Sequence, residues 1–457
     1  MKPTYEELEA KVQRLEELLR QALEKIAKLE EQLGRNSKNS SKPPSTDQKS
    51  NTSDKEKRPR SSRVGVARAL YPPERIDNRI ECWRENCPHC SSQYIQWNGE
   101  SPELLQQVEL PEVKAVITQY ELQKYTCLTC HKHSIAPLPD GVPDSAFGPR
   151  LMGLLATLTG VMHLAKREAI QLIKDLYDID MGVGSVPNVE ERVSASLNLV
   201  YDRIHKFILQ HKFCTYFDET GWRDKGKRHF VWLAACQHAA VYRIDRNRSA
   251  AAFQRLIGGK TWDAPAVTDR YAVYNSFKTH QFCLAHLIRE FKKYGERDGP
   301  DKSIGTALEK ELRLSCKIHG QYREGKISLV ERNRRLGARK RRVEYWLEDG
   351  LANGSDALSK ICVTLLEDFE KLWTFTKTLG MEPTNNLAER DLRKLVIWRK
   401  KSYGTRSERG KKFVERITTV AQTIRKNGGN VLHFVQQAVK CFYLRNPPPL
   451  ISETLGF

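Results

Sequence analysis

Apolar residues open the chain in steps of alternately four and three. Val12, Leu19, Ile26 and Leu33 fall at one position of the repeat, and Leu8, Leu15, Ala22 and Leu29 at the other. A seam of period 3.5 with β-branched Val12 and Ile26 among the first positions and mostly leucine at the second predicts a parallel two-stranded coiled coil over residues 1–33, weakest at Ala22. No second heptad segment follows to fold back on it. A second copy of the chain is therefore the expected partner and a homo-oligomer the expected assembly, with an intramolecular hairpin as the alternative. Gly34 ends the helix. Beyond it the stretch to about Ala69 is Ser-, Asn-, Lys- and Pro-rich, with ten Lys/Arg against three acids. Such a segment cannot bury a core, so residues 34–79 are expected to be a disordered basic linker, either tracking phosphates or merely solvated.

Patterning returns in residues 80–140, where strand-like runs such as Val113–Tyr120 separate two cysteine pairs. From Phe147 the period is helical: Leu151, Leu154, Leu155, Leu158 and Val161 or Met162 share a face. Further helices are predicted over about Lys166–Tyr177 and Ser185–Leu199, with Pro187 in the first turn, where proline is tolerated. The tight turn from Asp178 to Gly184 makes residues 145–210 either a helix-turn-helix that meets DNA or a plain bundle. At Cys214 the period drops to two. CTYFDET, HFVWLAACQ and AVYRIDR read as strands, Arg248–Leu256 as a helix, PAVTDRY as a fourth strand, and HQFCLAHLIREFKKY as a fifth running into a helix. That order predicts a mixed α/β core whose first part is 211–295. A charged helical insertion follows over 296–380, then a last part over 381–445, and an irregular tail over 446–457. From Arg390 to Lys426 there are thirteen Lys/Arg against three acids.

Charge sharpens this outline. The 457 residues carry 76 Lys+Arg against 56 Asp+Glu, a net +20, so a polyanion, DNA above all, is the expected partner. The longest apolar run, Leu151–Ala165, falls short of the roughly 20 residues of a membrane span. With no apolar signal core at the start, the expected place is the cytoplasm, against the nucleoid, with no membrane. Eleven cysteines there should be thiols or metal ligands. Cys87/Cys90 and Cys127/Cys130 are two C-x-x-C knuckles that together would complete a structural Zn²⁺ site, with Cys82, His89, His131 and His133 as alternative ligands. A zinc deaminase is excluded, because no H-x-E precedes a P-C-x-x-C.

Phosphodiester chemistry needs carboxylates that hold hard divalent cations. Asp218 at the end of the first strand, Asp269 at the end of the fourth, and Glu389 on the basic helix form such a set for Mg²⁺ or Mn²⁺. Glu219, Asp224, Asp245, Asp263 and Asp391 are of equal chemical type. Around Glu389, Asn386, Arg390, Arg393, Arg399, Lys400 and Lys401 are the candidate DNA-binding residues. Cys283 and His286 are expected to pack rather than ligate. Trp222 and Trp398 are candidates for stacking on bases, with core packing expected of at least one.

The words GRNSKNSSKPPSTD (34–47), FGPRLMGLLATLTG (147–160), YFDETGWR (216–223), VTDRYAVYN (267–275), QFCLAHLIREF (281–291) and PTNNLAERDLRKLVIWRKKSYGTRS (383–407), with the paired knuckles, resemble the insertion-sequence-66 class of bacterial DDE transposases. The resemblance covers nearly the whole chain in order, although SSRVGVARAL stands where that class has a Gly-rich linker. It implies an RNase H-like catalytic core with a helical insertion, an N-terminal zipper, a zinc-binding domain and small accessory transposition proteins as partners. The class's catalytic acids fall on Asp218, Asp269 and Glu389. It implies cleavage of element ends and strand transfer of 3′-hydroxyls into target DNA. A DNA-binding regulator with an inactive core and a stand-alone nuclease are the alternatives.

Overall fold

The computed structural model describes residues 5–34, 69–259, 261–297 and 299–453. The linker expected at 34–79 thus lies largely outside the described residues, as does the end of the tail. Helix α1 is continuous from Tyr5 to Gly34, and the seam side chains Leu8, Val12, Leu15, Leu19, Ile26 and Leu29 are all exposed along it.

Residues 49–116 separate as a unit of their own. In their described part the Gln106 side chain bridges the Tyr71 backbone, accepting its N–H at 2.6 Å and donating to its carbonyl at 3.0 Å. Trp83 meets Trp97 edge to face at 5.9 Å. Val113–Tyr120, read as strand-like from its sequence, is irregular. The strands nearby are instead β1 (Lys124–Thr126) and β2 (His133–Ile135), a short antiparallel pair on either side of the second cysteine knuckle.

In the larger unit, which also holds α1, β1 and β2, four helices precede the main sheet: α2 (Pro149–Gly160), α3 (Lys166–Tyr177), α4 (Ser185–Ser196) and α5 (Asn198–Gln210). The helix expected over Ser185–Leu199 breaks at Leu197, so it is two. In α2 the fully buried residues are Met152, Leu155 and Ala156, while Leu151, Leu154 and Leu158 pack at their flank and Met162 is exposed. The inner face of α4 is Val186, Val189 and Val193, and its outer acids are paired, Glu190 with Lys166 and Glu191 with Arg409.

The sheet has strands β3 (Thr215–Asp224), β4 (Lys227–Ala235), β5 (Ala240–Asp245), β6 (Ala266–Thr268) and β7 (His280–Phe282), in the order β5-β4-β3-β6-β7. The first three are antiparallel neighbours; β6 and β7 run parallel to β3. Lys225 and Gly226 turn β3 into β4 with positive φ of 51° and 77°, the two-residue turn whose twist suits a hairpin. Helix α6 (Ala250–Leu256) leads from β5 toward β6, and α7 (Leu284–Gly295) follows β7. The inserted helices are α8 (Asp301–Arg323), α9 (Leu329–Asn353), α10 (Asp356–Glu367) and the short α11 (Thr374–Lys377). Then come α12 (Asn386–Ser402), α13 (Glu408–Lys426) and α14 (Val431–Tyr443). The fold is mixed α/β, as the period changes predict.

An edge strand leaves a row of backbone donors unpaired. Here α13 covers them. The N–H groups of Ala240, Tyr242 and Ile244 donate to the side chains of Thr423 (3.2 Å), Thr419 (3.1 Å) and Glu415 (2.6 Å). Two strand residues rise about 6.6 Å and four helical residues about 6 Å, so side chains every fourth residue on α13 match every second N–H on β5.

Candidate active site

The site begins with the register of β3 and β6. Thr215 pairs with Ala266 and Tyr216 with Val267. Two residues further along the same register Asp218 comes level with Asp269, on strands about 4.8 Å apart. Asp218 is the fourth residue of a ten-residue strand, not its end as expected from sequence; β3 continues to Asp224. Asp269 directly follows β6.

Alternation along β3 sends successive side chains to opposite faces. Phe217 and Glu219 turn toward Phe253 and Tyr274, while Trp222, of the same parity as Asp218, meets Trp398 of α12 at 6.3 Å. Asp218 therefore faces the helix that carries Glu389. That helix is fastened to β3 at both ends. At its start the buried Asn385 amide donates to the Phe217 carbonyl at 2.8 Å, and the Asn385 N–H meets Cys283 Sγ at 3.1 Å. At its far end Tyr403 and Gly404 turn with φ of 56° and 95°. A Cβ on Gly404 would collide with the Arg223 carbonyl. The next residue, Thr405, donates its N–H to that carbonyl at 2.9 Å and its hydroxyl to Asp224 at 2.8 Å, and accepts from Trp222 Nε1 at 3.2 Å.

Asp218, Asp269 and Glu389 line one open cleft of about 1280 Å³. Burial, with Glu219, Asp269 and Glu389 adding negative potential, pushes the Asp218 carboxyl well above the usual range. It accepts the Glu219 N–H at 2.9 Å, and among the described residues no cation pairs with it. Asp269 accepts the Tyr271 N–H at 2.9 Å. Glu389 is held by Arg289 at 3.1 Å, with His286 Nε2 at 3.6 Å. Among the described residues, the Cys283, His286 and Glu389 ligand atoms are the one set of three lying within 4.8 Å of one another. The three acids are not gathered as closely as that set. A half-buried carboxylate lacking a cation beside two further acids is a donor set that fits hard divalent metal.

The cleft is walled by eight Lys/Arg against five acids, which favours a polyanion above an acidic floor. Asn386, Glu389, Arg390, Arg393 and Lys400 lie along one face of α12 and line it. Arg390, Arg393 and Lys400 are exposed, and among the described residues none forms an ion pair. Two of the candidates stand differently. Arg399 lines the cleft but donates to the Gly221 carbonyl, and Lys401 turns away from the cleft toward His163, whose pKa burial and then Lys401 hold down at about 4. Neither tryptophan is free to stack: Trp222 is buried, and Trp398 packs on His163 at 4.8 Å and on Phe413 at 6.4 Å. Four residues at the site were not singled out for it by sequence reasoning: Glu219, Arg248, His286 and Arg289. The signals were present, since Glu219 adjoins Asp218 and the C-x-x-H and C-x-x-H-x-x-R spacings place Cys283, His286 and Arg289 one helical turn apart.

The cysteine knuckles are built alike. In the first, Cys87 donates its N–H to Ser92 and accepts from Ser91, each at 2.8 Å; in the second, Cys127 donates to Lys132 at 2.9 Å and accepts from His131 at 2.8 Å. Backbone N–H groups of His89 and Cys90 lower the Cys87 thiol, and those of Cys130 and Thr129 bring Cys127 to about 7.

Three carboxylates thus share a cleft with a row of exposed cations on α12. The chain belongs to the IS66 transposase family: the profile described as "Transposase IS66 family" matches residues 144–413. A second profile, a family of unknown function (DUF6444), matches residues 1–69. No curated protein matches the chain.

Proposed function

We propose that the chain is a DNA transposase that cleaves element ends and joins their 3′-hydroxyls to target DNA, at a site built on Asp218, Asp269 and Glu389 with Mg²⁺ or Mn²⁺. The observation that carries this reading is Asp218: a half-buried carboxylate without a cation, level with Asp269 and facing the helix of Glu389. The strand order and directions support an RNase H-like core beneath it. Two divalent ions held there would activate the attacking oxygen and stabilise the leaving one. The chain's own residues bind and orient. Arg390, Arg393 and Lys400 meet successive phosphates along α12, Asn386 supplies a neutral donor beside Glu389, and Arg289 keeps Glu389 at the cleft wall. The deciding assay mixes the protein with labelled duplexes from the DNA flanking its gene and a target plasmid. Joined products are expected with Mg²⁺ in the wild type, and none with EDTA or in Asp269→Ala. Equal joining by wild type and Asp269→Ala overturns the assignment; cutting without joining leaves a nuclease, and binding without cutting a regulator.

Two structural roles accompany this reading. Each knuckle, Cys87 with Cys90 and Cys127 with Cys130, supplies a pair of thiolates for Zn²⁺, a role supported by their matched build and lowered thiols. The exposed seam of α1 joins two copies. One zinc per chain by elemental analysis, lost in Cys87→Ser/Cys127→Ser, and a dimer by light scattering that dissociates when residues 1–34 are removed, are the expected results. A zinc-free protein or a monomer removes the corresponding role.

A further inference from the structure

We propose that Glu219 is a positioning residue: gripped by Arg248 and the Tyr274 hydroxyl, it ties the strand of Asp218 to the segment of Asp269 and thereby sets the separation of the two carboxylates. The inference rests on the reading of Asp218 and Asp269 as catalytic acids.

The Glu219 side chain is only 3% exposed. Both its oxygens are occupied. Oε1 accepts from Arg248 Nε at 2.7 Å and Nη2 at 2.6 Å, and Oε2 accepts from the Tyr274 hydroxyl at 2.5 Å. It is thus engaged where Asp218 is free, which separates a holder from a ligand. Tyr274 is an unyielding anchor. It is fully buried, and its ring packs against Phe253 at 5.3 Å, Phe277 at 5.9 Å and Phe217 at 6.2 Å. Its hydroxyl therefore cannot swing to follow a moving carboxylate.

The second link passes through Tyr271. Its N–H holds Asp269 at 2.9 Å, its hydroxyl donates to the Arg248 carbonyl at 2.8 Å, and the Arg248 guanidinium lies 4.1 Å over its ring. The connections close a ring from Asp269 through Tyr271, Arg248 and Glu219 to the neighbouring Asp218. This gives each tyrosine of T-D-x-Y-x-x-Y a task. The one two residues after Asp269 supports it and Arg248, and the one five residues after it reaches across to β3. A carboxylate is needed because an amide has one acceptor oxygen, so Gln would keep one grip and turn its NH₂ against the other donor. The ladder between β3 and β6 pairs only Thr215 and Tyr216, so the level of the aspartates, beyond its end, depends on side-chain ties.

A reactive geometry loosened by about 1 Å loses on the order of a hundredfold in rate. The test compares wild type, Glu219→Gln, Tyr274→Phe, Arg248→Lys and Asp269→Asn. It measures Mn²⁺ affinity by electron paramagnetic resonance, joining rate against Mg²⁺ concentration, end binding and melting temperature. Tyr274→Phe and Glu219→Gln are expected to weaken Mn²⁺ binding about tenfold and to raise half-saturating Mg²⁺, with end binding unchanged. Excess metal should restore part of the rate. If melting falls while Mn²⁺ affinity and half-saturating Mg²⁺ stay at wild-type values, the tie is structural only and the proposal is overturned. If Glu219→Gln does not fold, Tyr274→Phe and Arg248→Lys, which keep the charge pair in place, decide by the same readout. An active Asp269→Asn would sink the catalytic reading itself; an inactive Asp269→Asn beside wild-type metal behaviour in the tie variants sinks only the positioning role.

Discussion

Asp224, Asp245, Asp263 and Asp391 carry the same carboxyl group as Asp218, and what separates them is occupancy. Asp224 accepts from Thr405, Asp245 pairs with Arg255 at 2.7 Å, Asp263 with Lys278 at 3.2 Å, and Asp391 with Lys426 at 2.9 Å. A sequence displays residue types but not partners, so this selection became visible only with the contacts in place. The same contrast orders the cations: Arg399 is held by a backbone carbonyl, whereas Arg393 is exposed and unpaired among the described residues. Arg393→Ala is therefore expected to weaken DNA binding without regard to sequence, and to reduce the slope of log affinity against log salt by about 0.9, the share of one phosphate contact. A filter-binding series from low to high salt measures it, and an unchanged slope would remove Arg393 from the DNA surface.

At the scale of elements, helices were the most legible part of the chain. Lys166–Tyr177 and the helix after Asn385 stand where their 3.6-residue periods put them. The strand order was harder: β6 and β7 are three residues each, too short for a period to show, and the parallel pairing of β6 with β3 joins Thr215 to the distant Ala266. The covering of β5 by α13 left no pattern in the apolar residues, because its contacts are made by Thr419, Thr423 and Glu415. This cover carries a pH signature. Burial raises the Glu415 carboxyl to about 7, against the pull of the Ile244 N–H and Arg243. Folded protein thus binds a proton more tightly there than the unfolded chain does, and stability from this group is present below pH 4.5 and lost as pH rises through 7. Glu415→Gln keeps an acceptor for Ile244 without the charge. It should melt with wild type near pH 4.5 and gain about 2 kcal/mol at pH 8, after allowance for partial exposure. Thermal melts across that range check the sign, and a loss at pH 8 would contradict it.

For the whole molecule, the mixed α/β class was readable from changes of period, and the three candidate acids were picked out by the words around them. Their mutual placement was not, because it depends on one short parallel pairing and on a helix fastened to β3 across 168 residues, from Phe217 to Asn385. Mobile elements decay, and many decay by acquiring stop codons. A chain ending before Glu408 would keep β5 but lose the side chains that cap its N–H groups. Its sheet would present an open edge to every similar fragment, and such edges pair with each other. The product of a truncated copy is then expected to associate through that open edge, in addition to any pairing through its intact α1.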